Sequence, residues 1–299
     1  MAISKVRVQI NGTWHVLTAG SNNTYTATIT APGTTSFNNT GGYYDVTVEA
    51  TNTAGTVVTQ NASGLAALKL VVKEKVAPVI TILTPTSGAY VTNNKQTVTF
   101  NITDETGGSG INLSSLVVKQ DNTVVAASTI KSTAITNGYS VTYTPATALT
   151  DGSHTVTITV SDNDGNAATA KSTTYTLDTV PPTLNITAPA DKLVTNAASL
   201  VVRGSTNDVS SSPVTVKILL GSTDQGAVTV ASDGTFSKTL TLVEGSNTIT
   251  VTATDAAGKS STVTRTVTLD TSLPVVKSAT ISPNPVNAGA SMVITVVVE

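Results

Sequence analysis

The sequence predicts an all-β chain of β-sandwich domains in series, and three observations predict it. A ten-residue phrase occurs at 46–55, 156–165 and 249–258, each time with apolar and hydroxyl residues alternating before an Asn/Asp-x-x-Gly ending. Alternation with a period of two is the pattern of a half-buried strand. The closing glycines Gly55, Gly165 and Gly258 stand roughly a hundred residues apart, too far for a solenoid unit and right for one sandwich. Finally, Pro-containing junctions recur after each phrase, at 74–78, 178–182 and 270–274.

These junctions divide the chain into residues 1–74, 75–178 and 179–270, with a remainder at 271–299. In the first domain, alternation over 5–10 leads into Asn11-Gly12, a hairpin turn, and a strand at 13–17; Asn-Gly suits a turn with positive φ at both central residues. Further strands are predicted at 25–30, 43–51 and 68–73. The second domain reads as strands at 79–83, 97–102, 115–120, 139–143 and 155–161. Its Thr84-Pro85 and Val91-Thr92-Asn93 are matched in the third domain by Ala188-Pro189 and Val194-Thr195-Asn196. The third domain reads as strands at 184–187, 199–203, 214–220, 236–242 and 248–254. The only mild helical candidate is 64–70, with its paired Ala66 and Ala67. Proline removes a donor and restrains φ, so the junctions predict a semi-rigid rod rather than beads on a flexible tether.

The remainder opens a fourth unit too short to close a sandwich. It holds a Ser-Pro-Asn-Pro turn at 282–285 and an apolar strand at 292–298. A bare strand of this kind is an aggregation hazard. Met292, Ile294, Val296 and Val298 on one of its faces are therefore read as a docking strand awaiting a partner.

Composition narrows the function. With 11% charged residues and a formal net charge of −2, no basic stripe is present to displace counterions, which argues against nucleic acid as a partner. Hydrophobic residues make up 39% of the chain but aromatics only 4%, so a deep aromatic pocket is not expected. The chain has no cysteine, hence no disulfide or thiolate metal site. No apolar run reaches the roughly 18 residues of a membrane span. Met1 leads directly into the first strand pattern without a signal-type segment, which predicts assembly in a cytoplasm.

Candidate sites are few. His15 and His154 lack a Ser/Asp pattern and read as surface or turn histidines. Asp162, Asp164 and Asn166 could hold calcium, but their spacing lacks the glycine and distal Glu of a calcium loop; an Asx-stabilised turn is the simpler reading. Asp104 and Glu105, beside Gly107-Gly108-Ser109-Gly110, are a second candidate of the same type, and calcium at a domain junction would stiffen the array. Trp14, Tyr43 and Tyr44 could stack a sugar, yet one Trp and two Tyr are ordinary sandwich core. Arg203-Gly204-Ser205 is not an adhesive tripeptide. The expectation is no catalytic residue, no cofactor and no enzyme.

The motifs Ser109-Gly110-Ile111, Tyr143-Thr144-Pro145 and the stretch 151–166 resemble bacterial immunoglobulin-like (Big-type) domains. Gly234-Thr235-Phe236, the 244–247 turn and 255–258 are similar to the β-sandwich module of glucodextranases. Residues 9–14, 25–32 and 44–55 resemble immunoglobulin-like segments of tail-associated proteins of bacteriophages infecting Gram-positive hosts, and 281–287 is similar to the tail proteins of such phages. The resemblance implies tandem immunoglobulin-like sandwiches in a virion structural protein of a tail, baseplate or contractile particle. The implied partners are other virion proteins or further copies of the chain, and host cell-wall polysaccharide. The alternative is a secreted cell-surface adhesin or spacer with weak glycan binding. Such modules specify a fold better than a function.

Overall fold

A computed structural model describes residues 2–299; Met1, which the sequence reading took as the start of the chain, lies outside the described residues. The chain divides into two units, residues 1–179 and 180–299.

The first unit begins with an antiparallel sheet in which Thr13–Val16, Ile3–Ile10, Thr47–Asn52 and Val57–Gln60 lie side by side. Asn11 and Gly12 turn the first hairpin with φ of 47° and 79°, the double positive φ that Asn-Gly supplies at low cost. Two short pairings complete this domain, Thr18–Ala19 with Tyr25–Thr26 and Tyr44–Asp45 with Lys69–Leu70. Several sequence expectations change here. The strand expected at 43–51 is two strands in different sheets, because the Val46 N–H turns to the Leu68 carbonyl. The strand expected at 25–30 ends at Thr26. The 64–70 stretch is a single 3-10 turn, Ala66–Leu68. The strand expected at 68–73 stops at Leu70 because Ser36 captures Val72: its backbone N–H bonds the Val72 carbonyl, and its Oγ accepts the Val72 N–H. Val57–Gln60, all exposed, is a strand the pattern did not reveal.

The second domain is a sandwich of two sheets. One runs Ile130–Ile135, Gly138–Tyr143, Val98–Thr103, Val79–Thr84; the other runs Tyr90–Val91, Lys171–Leu177, Gly152–Asp162, Ile111–Gln120, Thr123–Val124. Alternation places Val98, Phe100 and Ile102 inward against Val118, Val141, Val156, Ile158 and Tyr175, all nearly or fully buried. Burial of this kind contributes about 1.5–3 kcal/mol per large apolar side chain. Tyr90–Val91 pairs parallel to Lys171–Leu177, so the chain passes from one sheet to the other after Pro85.

The second unit repeats the plan. Thr183–Ala188, Ser199–Asn207 and Thr235–Thr241 form one sheet; Leu193–Thr195, Ser260–Leu269, Gly245–Thr254, Thr215–Leu220 and Thr223–Asp224 form the other. Leu193–Thr195 is again parallel to its neighbour. Val202, Ile218, Leu240, Ile249, Val251 and Val267 fill the core. Gly204 belongs to this packing, because a Cβ there would lie 2.6 Å from the Phe236 ring and 2.5 Å from the Asn185 carbonyl.

Residues 270–299 are exposed throughout. The apolar strand of the sequence reading is Val293–Val298, and it is not naked: it pairs antiparallel with Val276–Ser282. What stays bare is both faces of this hairpin, with Met292, Ile294, Val296 and Val298 each at least half exposed. Among the described residues no helix is long and apolar enough to cross a membrane.

Candidate functional site

The three copies of the repeated phrase end in the same turn. Asn52 Oδ1 accepts the N–H groups of Ala54 and Thr56; Asp162 Oδ1 accepts those of Gly165 and Asn166; Asp255 Oδ1 accepts that of Lys259. In each, the backbone N–H of the first residue also donates to the carbonyl of the residue four further on. The short side chain replaces ladder partners that the turn itself removes. Asp162 is almost fully buried, and its second oxygen accepts from Asn166 Nδ2 at 2.7 Å. Its hydrogen-bonding capacity is spent within the turn.

Asp164 and Asn166 instead reach the first domain. Asp164 Oδ2 accepts from the Thr35 hydroxyl and, at 3.1 Å, from the Glu74 N–H. The Asp164 carbonyl accepts from Lys73 Nζ at 3.0 Å, and Asn166 Nδ2 donates to the Glu74 carbonyl. Asn38 Nδ2 adds a bond to the Gly108 carbonyl at 2.7 Å. The loop singled out as a calcium candidate is thus the latch between the first two domains.

Beside the latch lies the second candidate, and the structure adds a residue to it. Glu74, from the junction segment, joins Asp104 and Glu105, which follow strand Val98–Thr103, with one carboxylate oxygen of each within 4.8 Å of the others. Glu74 Oε1 accepts the Ser109 N–H, and Asp104 Oδ2 accepts the Gly110 N–H at 2.7 Å. Glu74 Oε2, Asp104 Oδ1 and Glu105 Oε2 are buried with no donor. The adjoining Glu74 carboxylate, which Glu105 can hydrogen-bond only when it holds a proton, then burial, pushes the Glu105 carboxyl up to about 7. For Glu74 burial acts upward, but the proton that Glu105 would share with it and the hydrogen bonds from Ser109 outweigh burial and hold the group below its ordinary value. Either a proton shared by the two glutamates or a cation would relieve the crowding. Glu74 escaped the sequence reading because its partners are brought to it only by the docking of one domain on another.

The remaining candidates have structural roles. His154 is buried, not on the surface: Nδ1 lies 2.7 Å from Asp121 Oδ2 and Nε2 2.7 Å from the Thr150 carbonyl. Burial works against the imidazolium, yet these partners prevail and raise its pKa. His15 pairs with Val8 across the first hairpin. Trp14 and Tyr43 are half-buried rather than core, and a cation covers a face of each: Arg7 stands 4.2 Å from the Trp14 ring and Lys69 4.8 Å from the Tyr43 ring. Tyr44 is buried.

Comparison with known proteins follows this division. Residues 86–179 match the model of the bacterial Ig-like domain, and residues 182–271 match that of glucodextranase domain B. The chain is a tandem array of immunoglobulin-like domains. Bacillopeptidase F of Bacillus subtilis (strain 168) is 30% identical over 128 residues, 43% of this array but only 8% of that protein's length. Solved structures of similar fold include the fibronectin(III)-like modules of Clostridium thermocellum CbhA (TM-score 0.40, 17% identity, 64% of this chain and 94% of that one). A tetra-tandem repeat from the extending region of a large adhesion protein also matches (TM-score 0.33, 18% identity, 98% and 79%). Tandem immunoglobulin-like arrays are structural or adhesion-type spacer modules, and domains of this fold are typically non-catalytic.

Proposed function

We propose that the protein is a structural spacer of a bacteriophage tail or baseplate, docked through its terminal β segment to neighbouring virion proteins. The observation that carries the docking is the hairpin of Val276–Ser282 and Val293–Val298, apolar yet exposed on both faces. Such a hairpin is marginal alone in water; strands of a neighbouring protein would pair its edges by β-augmentation, and the rest of that protein would pack on its apolar surface. The likeness of the first domain to tail-protein segments supports the particle as the setting. Two filled sandwich cores and a bonded latch between the first two domains suit a mechanical role.

Mass spectrometry of purified particles tests this reading. The full chain should be a stoichiometric component, and a chain lacking residues 271–299 should be absent from particles while still folded. Full incorporation of the truncated chain would refute docking through the hairpin.

A second reading, a spacer within a secreted or cell-surface protein, is favoured by the match to Bacillopeptidase F. It predicts the protein on the surface or in the medium of uninfected bacteria.

A further inference from the structure

We propose that the hairpin of Val276–Ser282 and Val293–Val298 is the opening strand pair of an immunoglobulin-like sandwich whose other strands belong to the neighbouring protein. That protein supplies a third strand beside Val293–Val298 and a second sheet over one face of the hairpin. The inference rests on the docking of this hairpin to a neighbour and names what the neighbour must present.

Both complete sandwiches of the chain open in the same way. The first strand, Val79–Thr84 or Thr183–Ala188, pairs antiparallel with Val98–Thr103 or Ser199–Asn207, as Val276–Ser282 pairs with Val293–Val298. A proline follows each first strand, at Pro85, Pro189 and Pro283. The connections 189–198 and 283–292 are equal in length. In both complete domains the first strand is a sheet edge, while the second is flanked on its far side by Gly138–Tyr143 or Thr235–Thr241. Val293–Val298 lacks that flanking strand. The connection in each complete domain also holds a short strand, Tyr90–Val91 or Leu193–Thr195, that runs parallel to a strand of the facing sheet. Residues 283–292 form no strand, which matches a facing sheet that has yet to arrive.

The register says which face that sheet covers. Residues directly opposite in an antiparallel pair share a face. Val276 with Val298, Ala279 with Val296 and Ile281 with Ile294 make one face, wholly apolar. The other carries Ser278, Thr280, Ser282 and Thr295 beside Val293 and Val297. In the second domain the same alternation sends Ile80, Val98, Phe100 and Ile102 into a core closed by a five-stranded sheet. In the third it sends Ile186 and Val202 into another. Ile294, Val296 and Val298 therefore stand where core residues stand, yet they are exposed. A second copy's hairpin is too small to cover them. Two strands of about seven residues present a face of about 200 Å², far below the roughly 800 Å² per partner of a stable interface.

The chain has no cysteine, so single cysteines can report on each face by their rate of maleimide labelling. In the free chain Ile294→Cys, Val296→Cys, Thr280→Cys and Thr295→Cys should react at comparable rates. In purified particles the first two should slow by about tenfold or more, and the last two should not change. Hydrogen exchange on particles should slow at the amides of 293–298 that point away from 276–282, while the outer amides of 276–282 continue to exchange. Ile294→Asp should lower incorporation by about tenfold or more, because it buries a charge; Thr295→Asp should change it by about twofold or less. If Ile294→Cys is not incorporated, Ala279→Cys decides for the same face. Amine crosslinking at Lys277 should capture strand segments of another protein. A docked chain with both faces protected alike, or neither, overturns the inference and leaves docking intact. Crosslinks to 276–298 of a second copy also overturn it. Absence of the full chain from particles removes the docking and the inference together.

Discussion

The first and second domains share a repeated phrase and a turn, yet differ in what lies beneath them. In the second domain Val98, Phe100, Ile102, Val118, Val141, Val156, Ile158 and Tyr175 close a dry core. In the first, Val6, Val8, Tyr44 and Ala62 are the buried apolar side chains among the described residues, and Thr35, Ser36 and Asn52 are buried with them. Hydrogen bonds replace core there: Ser36 ties Val72 and the Gly42 carbonyl, and the Thr34 and Tyr44 hydroxyls meet at 2.7 Å. Such bonds contribute about 1 kcal/mol each, less than a buried Phe or Ile. The same strand grammar therefore yields one domain that holds itself together and one that leans on its neighbour through Asp164.

The largest expected effect tests that dependence. Residues 1–74 made alone should show no cooperative thermal transition, whereas residues 179–270, with their own core, should melt cooperatively. Calorimetry of the two fragments compares them, and a sharp melt of the first would break the contrast. Next in size, Phe100→Ala should destabilise the second domain by about 3–5 kcal/mol, and Val8→Ala the first by about 1.5 kcal/mol. Urea unfolding followed domain by domain would show both, and equal losses would mean that the first domain packs better than its burial shows.

Smaller still is the latch. Asp164→Ala removes the acceptor of the Thr35 hydroxyl and the Glu74 N–H, a loss of about 1–3 kcal/mol. Hydrogen exchange should rise at residues 34–42 and stay unchanged in the second domain's core. Asp162→Ala, two residues away, should do the reverse, since Asp162 serves its own turn. Swapped or identical patterns would dissolve the distinction between turn and latch.

How much of this was legible follows from the same chemistry. The sandwich strands that alternate Val or Ile with Thr showed in the sequence because burial imposes that period. Lys171–Leu177 and Ser260–Leu269 escaped because Ser and Thr dominate them; their hydroxyls pair across strands, Thr155 with Thr174, Thr157 with Ser172, Thr252 with Thr262. A hydroxyl ladder serves a sheet but resembles a loop in composition. Asp104 and Glu105 were visible as a local acidic pair. Glu74 was not, since only folding brings it to them, and His154 looked like a turn residue because its partner Asp121 lies a hairpin away.

The smallest effect concerns charge inside the second domain. Burial opposes ionisation of His154 and Asp121, but their mutual contact, with the Thr150 carbonyl and the Thr155 N–H, raises the first pKa and lowers the second. The raised His154 stabilises fully below its ordinary 6.5 and loses that contribution as pH climbs through the folded value. The lowered Asp121 contributes above its ordinary 3.8 and loses it as pH falls through its depressed value. The pair is therefore worth most between about pH 4 and 6.5, by about 1 kcal/mol, because the exposed side of Asp121 screens it. Glu105, pushed up to about 7, also makes stability fall as pH rises above its unfolded value, so the wild-type slope alone does not separate them. His154→Gln should flatten only the part of the decline above pH 6.5, leaving the Glu105 part in place, when urea midpoints are compared across pH. An unchanged slope in that variant would mean that His154 stays neutral in the fold, with Asp121 merely accepting a hydrogen bond.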